Sequence, residues 1–226
     1  MVKKPFFSII IPTYNRASNL QFALYCIFQQ SFSDFEVIIS DNCSTDNTKD
    51  IINKLKDKKI HYFRNKTNLN LSLNIKNAMK HAKGKYIFLH GDDDTLFYPD
   101  SLLKIYEKIR KYNPGYVRVS YMCIAPDRKR IFYFKVNRPF VKDEYLLPLS
   151  DNKKVLSFIL NSDHYFITGT IFKNSLPTDV EMLKSEHAPW MAILFYSTKF
   201  FGAYLIAESH IVASWSQWRN KQNGSH

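Results

Sequence analysis

The sequence predicts an α/β fold: a mostly parallel central sheet flanked by helices, with a mixed second half. Three observations carry that prediction. Short, nearly continuous apolar runs recur at residues 6–11, 35–40 and 86–89, and strands of a parallel sheet read this way because helices cover both of their faces. Between the runs lie segments with apolar residues at helical spacing, such as Leu20, Ala23, Leu24, Ile27 and Phe28. Each run also empties into a polar turn, most abruptly at Gly91-Asp92-Asp93-Asp94. Strands alternating with helices imply right-handed crossovers and parallel neighbours.

The elements follow in order. Residues 6–11 form a buried strand closed by Pro12, and 17–30 a helix. A second strand spans 35–40 and ends in a polar turn, 41–46, that leads into a helix over 47–55, with Ser44, Thr45 or Asp46 as its cap. A weaker strand covers 59–63, and a helix over 71–82 stops at Gly84. Strand 86–89 and helix 99–111 complete the first half. After Pro114-Gly115 the rhythm changes to longer strands at 116–124 and 131–136 and a proline-bearing loop over 138–149. A helix at 154–160, a strand at 168–173, a helix at 189–198 and a strand at 202–207 then follow.

The 226 residues and a 45% hydrophobic content suit one large domain with an ample core. No repeat or low-complexity segment interrupts it. The net charge of +12 asks for an anionic partner: nucleic acid, an anionic membrane face or a phosphorylated substrate. The lysines are scattered along helical stretches rather than gathered in a basic block interleaved with aromatics, so no nucleic-acid partner is expected. Cys26, Cys43 and Cys123 are few, odd in number and far apart, which argues against a disulfide framework or zinc site and fits a reducing compartment. No signal peptide or membrane-spanning run is visible, so the expected location is cytoplasmic, or peripheral at the inner membrane face. Residues 223–226 read as an artificial tail.

The triplet Asp92, Asp93 and Asp94 directly after a buried strand suits a hard divalent cation, which takes oxygen ligands and shares them with a phosphate. In open α/β sheets the ligand crevice lies outside the carboxyl ends of the strands, where this triplet belongs. The plain alternative is a solvated turn with a helix cap.

Four stretches, 7–16 (FSIIIPTYNR), 37–48 (VIISDNCSTDNT), 68–78 (NLNLSLNIKNA) and 82–94 (AKGKYIFLHGDDD), together resemble family 2 glycosyltransferases with the GT-A, or nucleotide-diphospho-sugar transferase, fold. The resemblance covers about residues 5–115 and fades beyond Tyr116. It implies an inverting enzyme that moves a sugar from a UDP-sugar donor to a glycan or lipid-linked acceptor in cell-surface polysaccharide synthesis, with Mn²⁺ or Mg²⁺. Residues 1–115 would bind the donor, and 116–222 the acceptor, within one domain.

Carried over by position, Pro12, Thr13, Tyr14, Asn15 and Arg16 line the base and ribose, and Asp41 accepts a hydrogen bond from the uracil imide. Asn68 and Asn77 lie near the pocket. The family's Asp-x-Asp-Asp reads His90-Gly91-Asp92-Asp93 here, so His90 stands where the first aspartate meets the ribose or its metal-bound water. Asp92 then binds the metal and bridges to the diphosphate, Asp93 is a direct ligand or supports the ligands from behind, and Asp94 opens the next helix or faces the acceptor. The catalytic base falls to Glu186 or His187, His210 is a candidate near the metal, and Trp190 stacks on a sugar or packs in the core. The rival readings are a non-catalytic sugar-nucleotide or glycan-binding module with a degenerate site, and a nucleotidyltransferase. The latter's glycine-rich phosphate loop is missing after the first strand.

Overall fold

The computed structural model describes residues 4–124, 131–132, 143–146, 148, 151–160, 167–175 and 189–214. At its centre is β1 (Phe7–Thr13), with β2 (Phe35–Asp41) on one side and β4 (Tyr86–Leu89) on the other, both parallel to it. β3 (Ile60–Arg64) continues the parallel sheet beyond β2. The crossovers are α1 (Ala17–Phe28), α2 (Thr48–Leu55) and α3 (Leu71–Met79). β5 (Thr95–Leu96) and α4 (Ser101–Tyr112) follow. The second half adds β6 (Tyr116–Ile124), β7 (Ile131–Phe132), β8 (Glu144–Leu146), α5 (Asn152–Leu160), β9 (Thr170–Lys173), α6 (Pro189–Phe201) and β10 (Ala203–Ser214).

All of these strands join one sheet, in the order β3-β2-β1-β4-β9-β6-β10-β5, with β7 on β6 and β8 on β10. The hinge of this arrangement is β9, antiparallel to both β4 and β6. It stitches the second half directly onto the strand that ends in the acidic triplet.

The apolar runs are continuous because both faces are covered. Phe7, Ile9 and Ile11 pack with Leu20, Leu24 and Ile27 of α1 and Leu102, Ile105 and Ile109 of α4. Ile10 and Ile38 face the other way, with Ile75 and Ala78 of α3 and Trp190, Ile193 and Leu194 of α6. Each such aliphatic side chain contributes about 1.5–3 kcal/mol by leaving water. Trp190, 7% exposed, belongs to this core.

Several boundaries differ from the sequence reading, each for a local reason. β1 runs through Pro12 to Thr13. The Ile10 carbonyl accepts from His90 N–H and the Thr13 carbonyl from Asn42 N–H, so the proline nitrogen points to the side where β4 has already ended. No ladder bond is lost there. α2 begins at Thr48, with no side-chain bond from its capping residue Asn47; Asp46 instead accepts from Thr48 N–H (3.1 Å) and Ala17 N–H (3.0 Å), tying two helix starts together. α3 ends at Met79 and its last turn tightens to i→i−3 bonds through Ala82. β10 is far longer than 202–207. It passes through register shifts between Ile206 and Ile211 that break the alternation by which a strand is recognised.

Gly84 marks the closest backbone approach in the first half. A Cβ there would lie 2.5 Å from the Ser8 nitrogen and 2.7 Å from the Phe7 carbonyl carbon. Its N–H donates to Ser8 Oγ (2.8 Å), which itself donates to the buried Glu36 carboxylate (2.7 Å). Gly84→Ala is therefore expected to destabilise the fold by about 1–3 kcal/mol, read as a lower midpoint in denaturant unfolding.

Candidate functional site

A cleft opens at the carboxyl ends of β1, β2 and β4. Its lining comes from Pro12 and Thr13 at the end of β1, Tyr14 and Arg16 after it, Asn42 after β2, and Leu71 and Asn74 of α3. Gly91, Asp92, Asp93 and Asp94 after β4, with Ile167 and Thr168 ahead of β9, complete it. The parallel strands deliver these turns to one edge because each crossover returns the chain to the same end of the sheet.

The acidic triplet does not act as one group. Thr13 Oγ1 donates to Asp92 Oδ2 at 2.8 Å. Arg16 Nη1 donates to Asp92 Oδ1 at 3.3 Å and to Asp93 Oδ2 at 2.7 Å. Burial pushes the Asp92 carboxyl up to about 6; the Arg16 charge and the Thr13 bond pull the other way, and neighbouring Asp93 adds to the rise. Asp94 turns aside, accepting from the Thr168 hydroxyl, which in turn accepts from Gly91 N–H at 2.8 Å. A Cβ on Gly91 would collide with Asp94 Oδ2, so a larger residue there would displace the Asp94 carboxylate from its bond to Thr168.

At the end of β2, Asp41 is 1% exposed and is fixed from three directions. Ser44 N–H donates to its Oδ1 (2.7 Å), Tyr62 Oη donates to its Oδ2 (2.5 Å), and Arg64 Nε lies 3.6 Å from Oδ2. Burial, then the Asp41 bond, raises the Tyr62 phenol well above its ordinary value, so it stays a donor. Beside it runs a lattice of amides. Asn42 donates to Asn68 Oδ1 and to the Leu69 carbonyl, both at 2.6 Å. Asn65 donates to Asn42 (3.1 Å) and Asn74 (2.7 Å), and Asn77 reaches Asn65 at 3.5 Å.

Seven of the expected donor-site residues thus share the cleft wall: Pro12, Thr13, Tyr14, Arg16, Gly91, Asp92 and Asp93. Others stand a layer behind it. Asn15, at φ 52°, accepts from Thr45 N–H (2.7 Å) and gives its own N–H to Ser44 Oγ (3.0 Å), locking the β1 and β2 turns together. Asn68 and Asn77 support Asn42 and Asn65 rather than lining the cleft, and buried Asp41 is likewise outside its lining.

His90 faces the core instead. It is fully buried against Phe88, donates from Nδ1–H to the Gly91 carbonyl (2.8 Å), and burial lowers its pKa to about 4. His210 lies within β10, not after a strand end. Its Nε2 is 3.4 Å from Glu208 and its ring is edge-on to Tyr98, away from the cleft lining. Glu186 and His187 lie outside the described residues. Sequence reasoning missed Asn42, Leu71, Asn74, Ile167, Thr168, Tyr62 and Arg64. The asparagine density of 65–77 was a signal for one of them, Asn74; Thr168 carried none, since only the β9–β4 pairing brings it in.

Among the described residues no three His, Cys, Asp or Glu side chains gather as an ion cage. Asp92 and Asp93 nevertheless aim two oxygens at one cationic nitrogen. That donor set fits a hard divalent ion whose remaining ligands come from phosphate and water.

The sign of the Asp92 shift makes a stability prediction. With a native pKa above the ordinary 3.8, Asp92 contributes stability that is present below that value and lost as pH rises through about 6. Asp92→Asn should therefore unfold at higher denaturant at pH 7, by about 1–3 kcal/mol, with the gain gone below pH 4.

Comparison with known proteins places this geometry in context. The model of glycosyl transferase family 2 matches residues 8–172. The chain is 29% identical over 214 residues to a GalNAc(5)-diNAcBac-PP-undecaprenol β-1,3-glucosyltransferase of Campylobacter jejuni, covering 89% of this chain and 65% of that enzyme. The fold superposes on S. aureus TarS 1–349 in complex with UDP-GlcNAc with a TM-score of 0.71 at 19% identity, covering 92% of this chain and 58% of that one. It also superposes on a mannosyltransferase of Pyrobaculum calidifontis in complex with GDP-Man and Mn²⁺, with a TM-score of 0.62 at 16% identity, covering 98% and 61%. The chain therefore spans about two thirds or less of these relatives' length. With a cleft built on the four motifs and a family match running across both halves of the sheet, the chain belongs to glycosyl transferase family 2.

Proposed function

We propose that the chain is a metal-dependent glycosyltransferase that moves a sugar from a UDP-sugar to a glycan or lipid-linked acceptor in cell-surface polysaccharide synthesis. The observation that carries this reading is the convergence of Asp92 and Asp93 on a single cationic position at the cleft floor. Family membership and relatives named for undecaprenol-linked or poly(ribitol-phosphate) acceptors support it.

In this reading Asp92 and Asp93 hold Mn²⁺ or Mg²⁺, which would neutralise charge on the departing diphosphate. Thr13 keeps the Asp92 carboxylate oriented. Tyr14 and Leu71, 43% and 47% exposed and lining the cleft together with Asn42 and Asn74, offer apolar surfaces for the base and ribose. The family resemblance assigns Asp41 to the imide N–H of uracil, and Ser44 and Tyr62 would hold its carboxylate in place for that bond. The acceptor hydroxyl attacks the anomeric carbon from the face opposite the diphosphate, and its proton passes to Glu186 or His187 as the carbon–oxygen bond to phosphate breaks. Asp94, held by Thr168 on the second half's side of the cleft, borders the acceptor's approach.

Among the described residues no helix is long and apolar enough to cross a membrane. The charge of +12 would favour docking on an anionic membrane face, where lipid-linked acceptors reside. Co-sedimentation with anionic but not neutral vesicles is expected, and equal recovery with both would remove this part of the reading.

The central test is calorimetric titration with UDP, GDP and dTDP, each with Mn²⁺ and with chelator. UDP should bind selectively and only with the metal. Asp92→Ala should weaken it by roughly tenfold or more, and Asp41→Asn by a similar factor, since a hydrogen bond to a charged partner is worth about 1.5–3 kcal/mol. Binding without sugar transfer to any acceptor would point to a non-catalytic sugar-nucleotide module.

A further inference from the structure

Arg16 is placed where the reading above puts the divalent ion. Its Nη1 is 3.3 Å from Asp92 Oδ1 and 2.7 Å from Asp93 Oδ2. The carboxylate side chains are 8% and 4% exposed, whereas the Arg16 side chain is 34% exposed. Its backbone is held: Asn15 is locked to Ser44 and Thr45, and the Arg16 carbonyl accepts the first bond of α1 from Leu20 N–H (2.9 Å). A fixed backbone carrying a side chain one-third exposed lets that side chain swing while the turn stays in place.

Two nearly buried carboxylates cannot lose their guanidinium without another cation taking its place, because uncompensated like charges in a desolvated site are costly. A metal ion arriving alone would leave the displaced guanidinium with no anion. A metal ion arriving with a nucleoside diphosphate would not, since phosphate oxygens are well matched to the planar fork of arginine.

We propose that Arg16 is a place-holding cation of the Asp92–Asp93 pair, which makes divalent-ion binding conditional on a nucleoside diphosphate that takes over the displaced guanidinium. This rests on the donor-site reading above and assigns Arg16 a positioning role that the reading does not require. The two ligands are then thermodynamically coupled, each tightening the other by the same factor.

The test is calorimetric titration of MnCl₂ into the protein with and without saturating UDP, for the wild type, Arg16→Gln and Arg16→Lys. The wild type should bind Mn²⁺ weakly alone and much more tightly with UDP. Arg16→Gln should bind Mn²⁺ alone roughly tenfold or more tighter than the wild type, with the gain from UDP correspondingly reduced. Arg16→Lys, which keeps the charge but loses the fork, should fall between them, and it also serves if the Gln variant does not fold. Equal Mn²⁺ affinity and equal UDP coupling in the wild type and either folded variant would overturn the role of Arg16 while leaving the donor site standing. A wild type that binds no UDP with Mn²⁺ would overturn both.

Discussion

Two carboxylates held almost entirely out of water at the end of one strand are the constraint around which this molecule is arranged. Burial alone drives Asp92 toward protonation. Neighbouring Asp93 adds to that drive, and two groups oppose it: the Thr13 hydroxyl from the strand next door and the Arg16 guanidinium from the turn beyond it. A proline at the end of β1 is tolerated because the neighbouring strand has already stopped, and that is what lets Thr13 reach Asp92.

The second half of the chain is tied into the same constraint. β9 runs antiparallel between β4 and β6, so Thr168, immediately ahead of it, arrives beside the triplet and takes up Asp94 and the Gly91 N–H. Arg118, buried at 2% exposure on β6, donates to the Thr168 carbonyl (2.8 Å) and to Thr170 Oγ1 (3.1 Å), holding this segment from below. A displacement in the second half would thus be felt at the cleft floor through a short chain of hydrogen bonds.

Behind the cleft wall, polar side chains replace hydrophobic packing. The amides of Asn42, Asn65, Asn68 and Asn74 bond to one another and to backbone, and Tyr62 and Arg64 clamp Asp41. Satisfied networks of this kind fix a geometry more sharply than apolar contacts, because each bond has a direction. The two histidines tell the opposite story. His90 and His210 are both fully buried, and burial depresses both of their pKa values, so each behaves as a neutral packed ring.

Sequence by itself determined the alternating elements of the first half, the location of the acidic turn, and the residues of the β1 turn that face it. These are local matters: a strand buried on both faces must be apolar throughout, and the polar residues that follow it must lie at its end. The asparagine-rich stretch was visible, but not which of its amides reach the cleft. Only the tertiary structure decided that Arg16 pairs with Asp92 and Asp93, 76 and 77 positions away, and that Tyr62 clamps Asp41. It alone brought Thr168 to Asp94, turned His90 inward and carried His210 into a bulged strand. The reason is physical: pairing between distant segments depends on strand order and on which face a side chain takes, and neither is written in the spacing of residues along the chain.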